Sequence, residues 1–165
     1  MATRTAVGPT DEAGPRWLDD RQQAAWMEVV VLMMRLPALL DAQLQRDADL
    51  THFEYGVISS LSTAPDRTLR MSALADFTSA SLSRLSHVVS RLERRSYVER
   101  SRCDGPGRAT NVTLTDAGYR KVVEAAPGHV DTVRQLVIDH LDGEQLDALV
   151  EIGRRIRPAL GAVPD

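Results

Sequence analysis

The stretch SLSRLSHVVSRLERR, residues 81–95, carries the clearest signal for the fold of this chain. It contains four arginines, four serines and one histidine against a single acid, Glu93. The whole chain of 165 residues has the opposite balance, with 20 Lys and Arg against 23 Asp and Glu and a formal net charge of −3. The local concentration of cations and short hydroxyl groups in an acidic protein therefore needs its own explanation.

At about 100° per residue, the stretch divides into two helical faces. The apolar side chains fall on one stripe, which we expect to face a core: Leu82, Leu85, Val88, Val89 and Leu92. The opposite face carries Ser83, Ser86, His87, Ser90, Arg91 and Arg94, with Arg84 at its edge. Short side chains let a helix approach a DNA groove closely, and arginine reaches phosphates or guanine edges. The pattern favours a DNA-binding helix over an ordinary solvated face, which usually mixes both charge signs.

The segments around this helix have the order of a winged helix-turn-helix. Before it, the capping box T-H-F-E opens a helix at Thr51, and MSALADF predicts a short helix at about 71–77. After it, VERSRC and NVTLT flank a D-G-P-G turn and predict a β-hairpin, the wing. In this arrangement the second helix enters the major groove and the wing reaches the adjacent minor groove or backbone.

Apolar helices flank this lobe on both sides. A long helix is predicted to about residue 48, with a kink or interruption at Pro37, and later helices from Asp116 and Asp142, with a break at Pro127-Gly128. A DNA-binding lobe of about 65 residues cannot cover all of them, so a second copy of the chain is the simplest partner.

The expected fold is mostly α, a winged helix-turn-helix with a small β-hairpin wing and N- and C-terminal dimerisation helices. The expected regions are 1–16, a flexible N-terminal arm; 17–50, the first dimerisation and effector-side helix; 51–115, the winged helix-turn-helix DNA-binding lobe; and 116–165, the C-terminal dimerisation helices.

Composition fits a soluble protein with a real core. Hydrophobic residues make up 43% of the chain, and the single cysteine, Cys103, excludes an intrachain disulfide. The first 16 residues lack the apolar run of a secretory signal. The run WMEVVVLMM at 26–34 is shorter than the roughly 20 apolar residues of a bilayer span. We therefore expect a cytoplasmic protein without a membrane partner.

Two segments resemble the MarR family of transcriptional regulators: LADFTSASLSRLSHVVSRLER at 74–94 and VTLTDAG at 112–118. The resemblance covers roughly 20–160. It implies a homodimer with interlocked terminal helices and, as in many members, DNA release when a small molecule binds between the dimer core and the DNA-binding lobe. Carried over by position, it implies that the DNA-facing residues are Ser81, Ser83, Arg84, Ser86, His87, Ser90 and Arg91, with Arg108 at the wing.

The chain departs from the family pattern at three places. Pro106 and Gly107 leave only Arg108 where the wing usually holds Asp and two adjacent arginines, so a weaker grip on the minor groove or backbone is expected. Ser96 stands where Gly usually ends the recognition helix, a position that favours left-handed backbone angles. Ser90 occupies an often acidic position, which should leave Arg91 less neutralised.

The other candidate sites also have ordinary structural explanations. A small-molecule effector pocket is predicted from apolar and adaptable side chains, for which plain core packing is the alternative: Trp26, Met33, Phe53 and Tyr55. Cys103 is either a redox-sensing thiol or an inert one. The four histidines have no metal-ligand spacing, and the enzyme motifs searched for are missing, so no metal, cofactor or catalysis is expected.

The predicted function is therefore sequence-specific binding of double-stranded DNA by a homodimeric transcriptional regulator, with repression expected and release by an effector. Two recognition helices would lie about 34 Å apart on a pseudo-palindromic operator. Two alternatives stay open: a winged-helix module whose arginine face binds an acidic protein, and a redox-sensing regulator that uses Cys103.

Overall fold

The computed structural model describes residues 15–102 and 110–160. The helices in these residues are α1 Asp20–Ala48, α2 His52–Thr63, α3 Met71–Thr78, α4 Leu82–Arg94, α5 Asp116–Leu136 and α6 Gly143–Leu160. The strands are β1 Thr68–Arg70, β2 Val98–Arg102 and β3 Thr110–Leu114, and short 3-10 turns lie at Pro65–Arg67 and Ile138–His140. The predicted fold is confirmed, a mostly helical winged helix with a small antiparallel sheet. The tip of the wing lies outside the described residues.

The capping signals read from the sequence set the helix starts. Thr51 and Glu54 form the predicted capping box, with the Thr51 hydroxyl accepting from the Glu54 amide and the Glu54 carboxylate accepting from the Thr51 amide. Asp142 and Gln145 make the same reciprocal pair before α6. These side chains satisfy amides that a helix start leaves without backbone partners. The starts of α2 and α6 are therefore local properties of the sequence.

The chain divides into two compact units, residues 1–35 and 36–165, and α1 contributes to both. The helix begins at Asp20, later than predicted, because the Asp19 carboxylate accepts from the Gln22 amide at 2.8 Å and caps it. Pro37 lies inside the helix and does not interrupt it, contrary to part of the prediction. The proline removes one backbone donor, and the helix continues on either side of it.

The core of the second unit is built on the apolar stripe of α4. Leu85, Val88, Val89 and Leu92 are buried, in a cluster with side chains from α2, α3, β2, β3 and α5. Burial of such side chains contributes about 1.5–3 kcal/mol each relative to exposure. The prediction that Leu82 faces the core is wrong, since this side chain is 41% exposed. It is the first residue of the helix, where the core no longer lies against that face.

The three strands form one antiparallel sheet in the order β1-β3-β2. The β2–β3 pair is the predicted wing, in which Val98 lies opposite Leu114 and Arg102 opposite Thr110. Strand β1 was not predicted, because its three residues are too few for an alternating pattern. It forms by pairing with β3, the central strand of the sheet.

The predicted break at Pro127-Gly128 is wrong, since α5 runs without interruption to Leu136. A methyl group at Gly128 would lie 3.2 Å from Gln43 Nε2, so glycine allows α5 to pack closely against α1 here. The helix ends at Leu136, since the backbone leaves helical angles at Val137.

Large apolar side chains stay exposed on the outer helices of the single chain. No residue of α6 is buried, and Leu149, Val150, Ile152 and Ile156 are about half exposed. Helix α1 is long and apolar enough to cross a membrane by length and composition, with a mean hydropathy of 1.4 over its most apolar window, of which 6% is buried. The prediction that this region is too short for a span does not hold on those two criteria, and a single such helix near the N-terminus is weak evidence for a membrane protein.

Candidate nucleic-acid interface

The N-terminal half of α4 presents the open polar surface of the lobe. The Ser81 hydroxyl oxygen accepts from the Arg84 amide at 3.3 Å and caps the helix. Ser83, Arg84 and His87 are exposed. One face of the helix therefore carries a hydroxyl, a guanidinium and an imidazole within five residues, while the opposite face is held in the core.

The Arg84 guanidinium lies over the Phe53 ring, 4.6 Å from its centroid. The negative face of an aromatic ring attracts a cation, and contacts at exposed sites are worth about 0.5–1 kcal/mol. Phe53 in α2 therefore restricts the reach of an arginine on the exposed face of α4. This pair could not be predicted from the sequence pattern, because the two residues lie on different helices.

Arg91 is neutralised by a carboxylate from another helix. Its Nη2 lies 3.1 Å from Glu54 Oε1, and the Glu54 side chain is only 7% exposed. The other Glu54 oxygen accepts from the amide and the hydroxyl of Thr51. The expectation that Ser90 leaves Arg91 less neutralised is therefore incomplete, since the acid is supplied by α2.

The C-terminal end of α4 is closed by a Schellman motif with serine in the left-handed position. The Tyr97 amide donates to the Leu92 carbonyl and the Ser96 amide to the Glu93 carbonyl, both at 2.9 Å. Ser96 has φ of 59°, as predicted for a residue in the usual place of glycine. Next to it, the Arg95 guanidinium donates to the carbonyl oxygen and carboxylate of Asp49 at 2.7 and 2.9 Å.

Ser86 and Ser90 lie on the side of α4 that faces the wing, and both are half-buried. Arg100 Nη2 donates to the Ser86 carbonyl oxygen and to the Ser90 hydroxyl oxygen, each at 2.7 Å. The Ser90 hydroxyl in turn donates to the Ser86 carbonyl at 2.9 Å. Arg100 of β2 therefore contacts the Ser90 hydroxyl and the backbone of Ser86, and the predicted DNA contacts of the two serines stay predictions.

The segment TDAG at 115–118 joins the wing to α5. The Thr115 hydroxyl caps α5 by accepting from the Gly118 amide at 3.0 Å, and it lies 2.7 and 3.1 Å from the carbonyl oxygens of Ser96 and Tyr97. A methyl group at Gly118 would lie 2.1 Å from the Tyr97 carbonyl oxygen. The sequence motif was recognised, but its part in holding the base of the wing was not.

The arginines in and just after α4 differ in whether a carboxylate neutralises them. Arg91, Arg95 and the neighbouring Arg100 pair with Glu54, Asp49 and Glu93 respectively. Across residues 15–102 and 110–160, Arg84 and Arg94 take part in no ion pair. Within α4, the positive charge without a paired carboxylate is therefore carried by these two exposed side chains.

A cavity of about 510 Å³ opens beside Arg84. Its walls include Phe53 and the exposed Phe77, and its polar groups include Asp41, His52 and Arg84. Of the predicted effector-pocket residues, Phe53 lines this cavity. Tyr55 is buried in the core, 4.6 Å from the His129 ring between centroids. Trp26 and Met33 belong to the first unit, where they are 50% and 54% exposed.

Arg108 and Cys103 lie outside the described residues, so their predicted roles stay predictions. Within the part of the chain that the structure describes, no group of three or more His, Cys, Asp or Glu side chains is arranged to hold a metal ion.

Comparison with known proteins identifies relatives over most of the chain, although no protein-family model matches it. The chain is 42% identical to Sco3205, a MarR family transcriptional regulator from Streptomyces coelicolor solved in complex with DNA, with a TM-score of 0.85 over 91% of this chain and 94% of that one. It is 34% identical to AbsC, a MarR family transcriptional regulator from the same organism, with a TM-score of 0.78 over 88% and 96% of the two chains.

A curated relative is the uncharacterized HTH-type transcriptional regulator YdcH of Bacillus subtilis (strain 168), 32% identical over 81 residues. The match spans 48% of this chain and about half, 55%, of YdcH. These relatives are transcriptional regulators, which confirms the prediction that the chain is not an enzyme. With 42% identity over 94% of a solved MarR regulator and the same winged-helix fold, the chain belongs to the MarR family of transcriptional regulators.

Proposed function

We propose that this protein is a cytoplasmic, homodimeric repressor that binds a pseudo-palindromic operator in double-stranded DNA. The observation that carries the proposal is the open face of α4, where Ser83, Arg84 and His87 are exposed and Arg94 continues the positive charge. Arginine is the side chain best suited to bind guanine edges or phosphates, and short serines admit the helix deep into a major groove. The DNA complex of the 42%-identical Sco3205 supports this use of the fold.

The exposed apolar surface supports a second copy as partner. Helix α6 has no buried residue although it carries Leu149, Ile152 and Ile156. Exposed apolar side chains of this density are typical of surfaces that an oligomer covers. A twofold dimer would present two α4 helices to successive major-groove faces about 34 Å apart.

The cavity beside Arg84 supports release by a small anionic effector. Its walls carry two phenylalanines, and Arg84 is its cationic group. A ligand that pairs its anion with Arg84 competes with DNA for the same guanidinium. By linkage, such a ligand weakens DNA binding by as much as DNA weakens ligand binding.

The test is fluorescence anisotropy with the DNA flanking the protein's own gene and a scrambled duplex of equal length, across a salt series. We expect a preference for the flanking DNA and a linear fall of log affinity with log salt, since phosphate binding releases counterions. Arg84→Ala should weaken binding, whereas Arg120→Ala, an exposed arginine on α5, serves as the matched control.

Each outcome discriminates among functions. Steep salt dependence with no preference would leave DNA binding but remove specificity for this DNA. Absence of binding to both duplexes at low salt would reject the proposal and favour the alternative, in which the arginine face binds an acidic protein.

A further inference from the structure

Arg100 lies on β2, yet its side chain is directed onto the recognition helix. Its Nη2 donates to the Ser86 carbonyl and the Ser90 hydroxyl at 2.7 Å each. Its Nε lies 3.7 Å from Glu93 Oε2, and its backbone amide donates to Glu93 Oε1 at 3.3 Å. One residue of the wing thus contacts three successive turns of α4.

This side chain is placed as a structural link rather than as a free cation. It is 27% exposed, and its Nε is buried without a hydrogen-bond partner among the described residues. Hydrogen bonds from a guanidinium to neutral acceptors are charge-assisted and are stronger than neutral ones. The acceptors are a backbone carbonyl and a side chain already fixed by its bond to that carbonyl, so little freedom remains at either end.

The base of the wing is held by Thr115, which contacts the carbonyl oxygens of Ser96 and Tyr97. Strand β3 is held further along, because it pairs with β1 as far as Asn111 and buries Val112 in the core. Strand β2 is the edge strand of this sheet among the described residues. Arg100, opposite Val112 of β3, attaches this edge strand to α4.

We propose that Arg100 is a positioning residue that joins the wing to the recognition helix, so that α4 and the hairpin meet DNA as one rigid unit. The proposal rests on the DNA-binding function proposed above. Arg100 acts through Ser86 and Ser90 and does not itself supply a phosphate contact. The Ser90 hydroxyl, predicted to face DNA, is the side-chain group that Arg100 contacts, whereas Ser86 contributes only its backbone carbonyl.

The first experiment measures DNA affinity for Arg100→Met, Arg100→Lys, Ser90→Ala and the double variant Arg100→Met/Ser90→Ala. We expect Arg100→Met to weaken binding on the order of tenfold, as for loss of a hydrogen-bonded charge. Lysine keeps the charge, which suffices for a phosphate contact, but it lacks the fork that reaches Ser86 and Glu93 together. Arg100→Lys should therefore also lose affinity, and full affinity in this variant would overturn the proposal.

The double variant tests whether Arg100 acts through Ser90. In the Arg100→Met background, Ser90→Ala should cost little further affinity, because its partner is already gone. Strictly additive losses would show two independent DNA contacts and would also overturn the proposal.

A second measurement needs no DNA and keeps the inference testable if the proposed function fails. Hydrogen–deuterium exchange of the free protein should show faster exchange over 98–102 in Arg100→Met than in the wild type. Arg102→Met is the matched control, since Arg102 is exposed on the same strand and lies on the same face two residues on. Unchanged exchange in Arg100→Met, or equal acceleration in Arg102→Met, would reject the link. If the wild-type protein binds no DNA, the proposed function is rejected, and the exchange measurement still tests the link between Arg100 and α4.

Discussion

Gly118 lies where α5 passes so close to the backbone of Tyr97 that no side chain fits between them. An added methyl group would lie 2.1 Å from the Tyr97 carbonyl oxygen and 2.6 Å from Leu114 Cδ1. We expect Gly118→Ala to lower the free energy of unfolding in urea by about 1–3 kcal/mol, because backbone must move to admit the methyl group. Gly56→Ala is the control, since nothing lies within 4 Å of its added methyl group. Equal losses in the two variants would contradict the steric explanation.

Ser96 adopts a backbone conformation that favours glycine, with φ of 59°. Its amide bond to Glu93 and the Tyr97 bond to Leu92 do not involve its side chain. We expect Ser96→Gly to raise the free energy of unfolding by about 0.5–1 kcal/mol, since relief of left-handed strain exceeds the added entropy of the unfolded chain. Urea denaturation measures the change. Ser83→Gly, within α4, should lower stability instead, and a loss in both variants would show that Ser96 is not strained.

At the scale of elements, α2 and α4 are joined by a pair in which one partner is buried. Glu54 is 7% exposed while Arg91 is 49% exposed. Removal of Arg91 leaves a buried carboxylate with only its capping partners, Thr51 amide and hydroxyl. Arg91 and Arg84, both exposed on α4, should therefore behave differently when truncated.

We expect Arg91→Ala to weaken DNA binding and also to lower the free energy of unfolding by about 1–3 kcal/mol, the cost of an unpaired buried polar group. Arg84→Ala should weaken DNA binding with a loss of stability below about 1 kcal/mol, since it gives up only an exposed cation–π contact. Anisotropy and urea denaturation on the same samples separate the two effects. Equal stability of the two variants would show that the Glu54 pair contributes nothing.

Helices α2 and α5 meet at a histidine whose charged form is disfavoured. Burial, and then repulsion from His52, lower the pKa of His129 below its usual 6.5. Its ring faces His52 and Tyr55 of α2, and the neighbouring Gly128 faces Gln43 and Asp47 of α1. The Nδ1 atom is buried without a partner among the described residues. The neutral imidazole is therefore the form that the packing accepts.

The sign of the pH dependence follows from the lowered pKa. Between the folded pKa and 6.5 the unfolded chain binds more protons, so the stability supplied by His129 is complete above about pH 6.5 and falls as pH decreases through that range. We expect His129→Gln to reduce the decline in the free energy of unfolding between about pH 7 and pH 5. Urea denaturation across this range measures it, and parallel curves for wild type and variant would refute the assignment.

At the scale of the whole molecule, the exposed apolar side chains of α6 allow a test of the proposed dimer. We expect Ile152→Glu/Ile156→Glu in α6 to convert the proposed dimer to monomer, because two charges would be buried without counter-ions. Analytical ultracentrifugation measures the mass, and anisotropy should show a parallel loss of operator affinity. Arg154→Glu, between them on the same helix, is a control for added charge. A dimer that survives the double substitution would move the interface away from α6.

The sequence by itself determined the order and type of the main elements. Capping boxes at Thr51 and Asp142, the 3.6-residue apolar period of 82–95 and the alternation of NVTLT are local signals. Each of these signals acts within a few residues, so it can be recognised in the sequence without knowledge of the segment that packs against it. The left-handed position of Ser96 was predicted from the family resemblance, because glycine usually stands there.

Only the tertiary structure decided what the polar face of α4 contacts. Glu54 neutralises Arg91, Phe53 contacts Arg84, and Arg100 donates to the hydroxyl of Ser90, which the helical period had placed on the exposed face. A helical wheel gives the direction of a side chain from its own axis but not which other element lies there. The continuity of α5 through Pro127 was decided in the same way, because close packing of Gly128 on α1 outweighs the local tendency of Pro-Gly to break a helix.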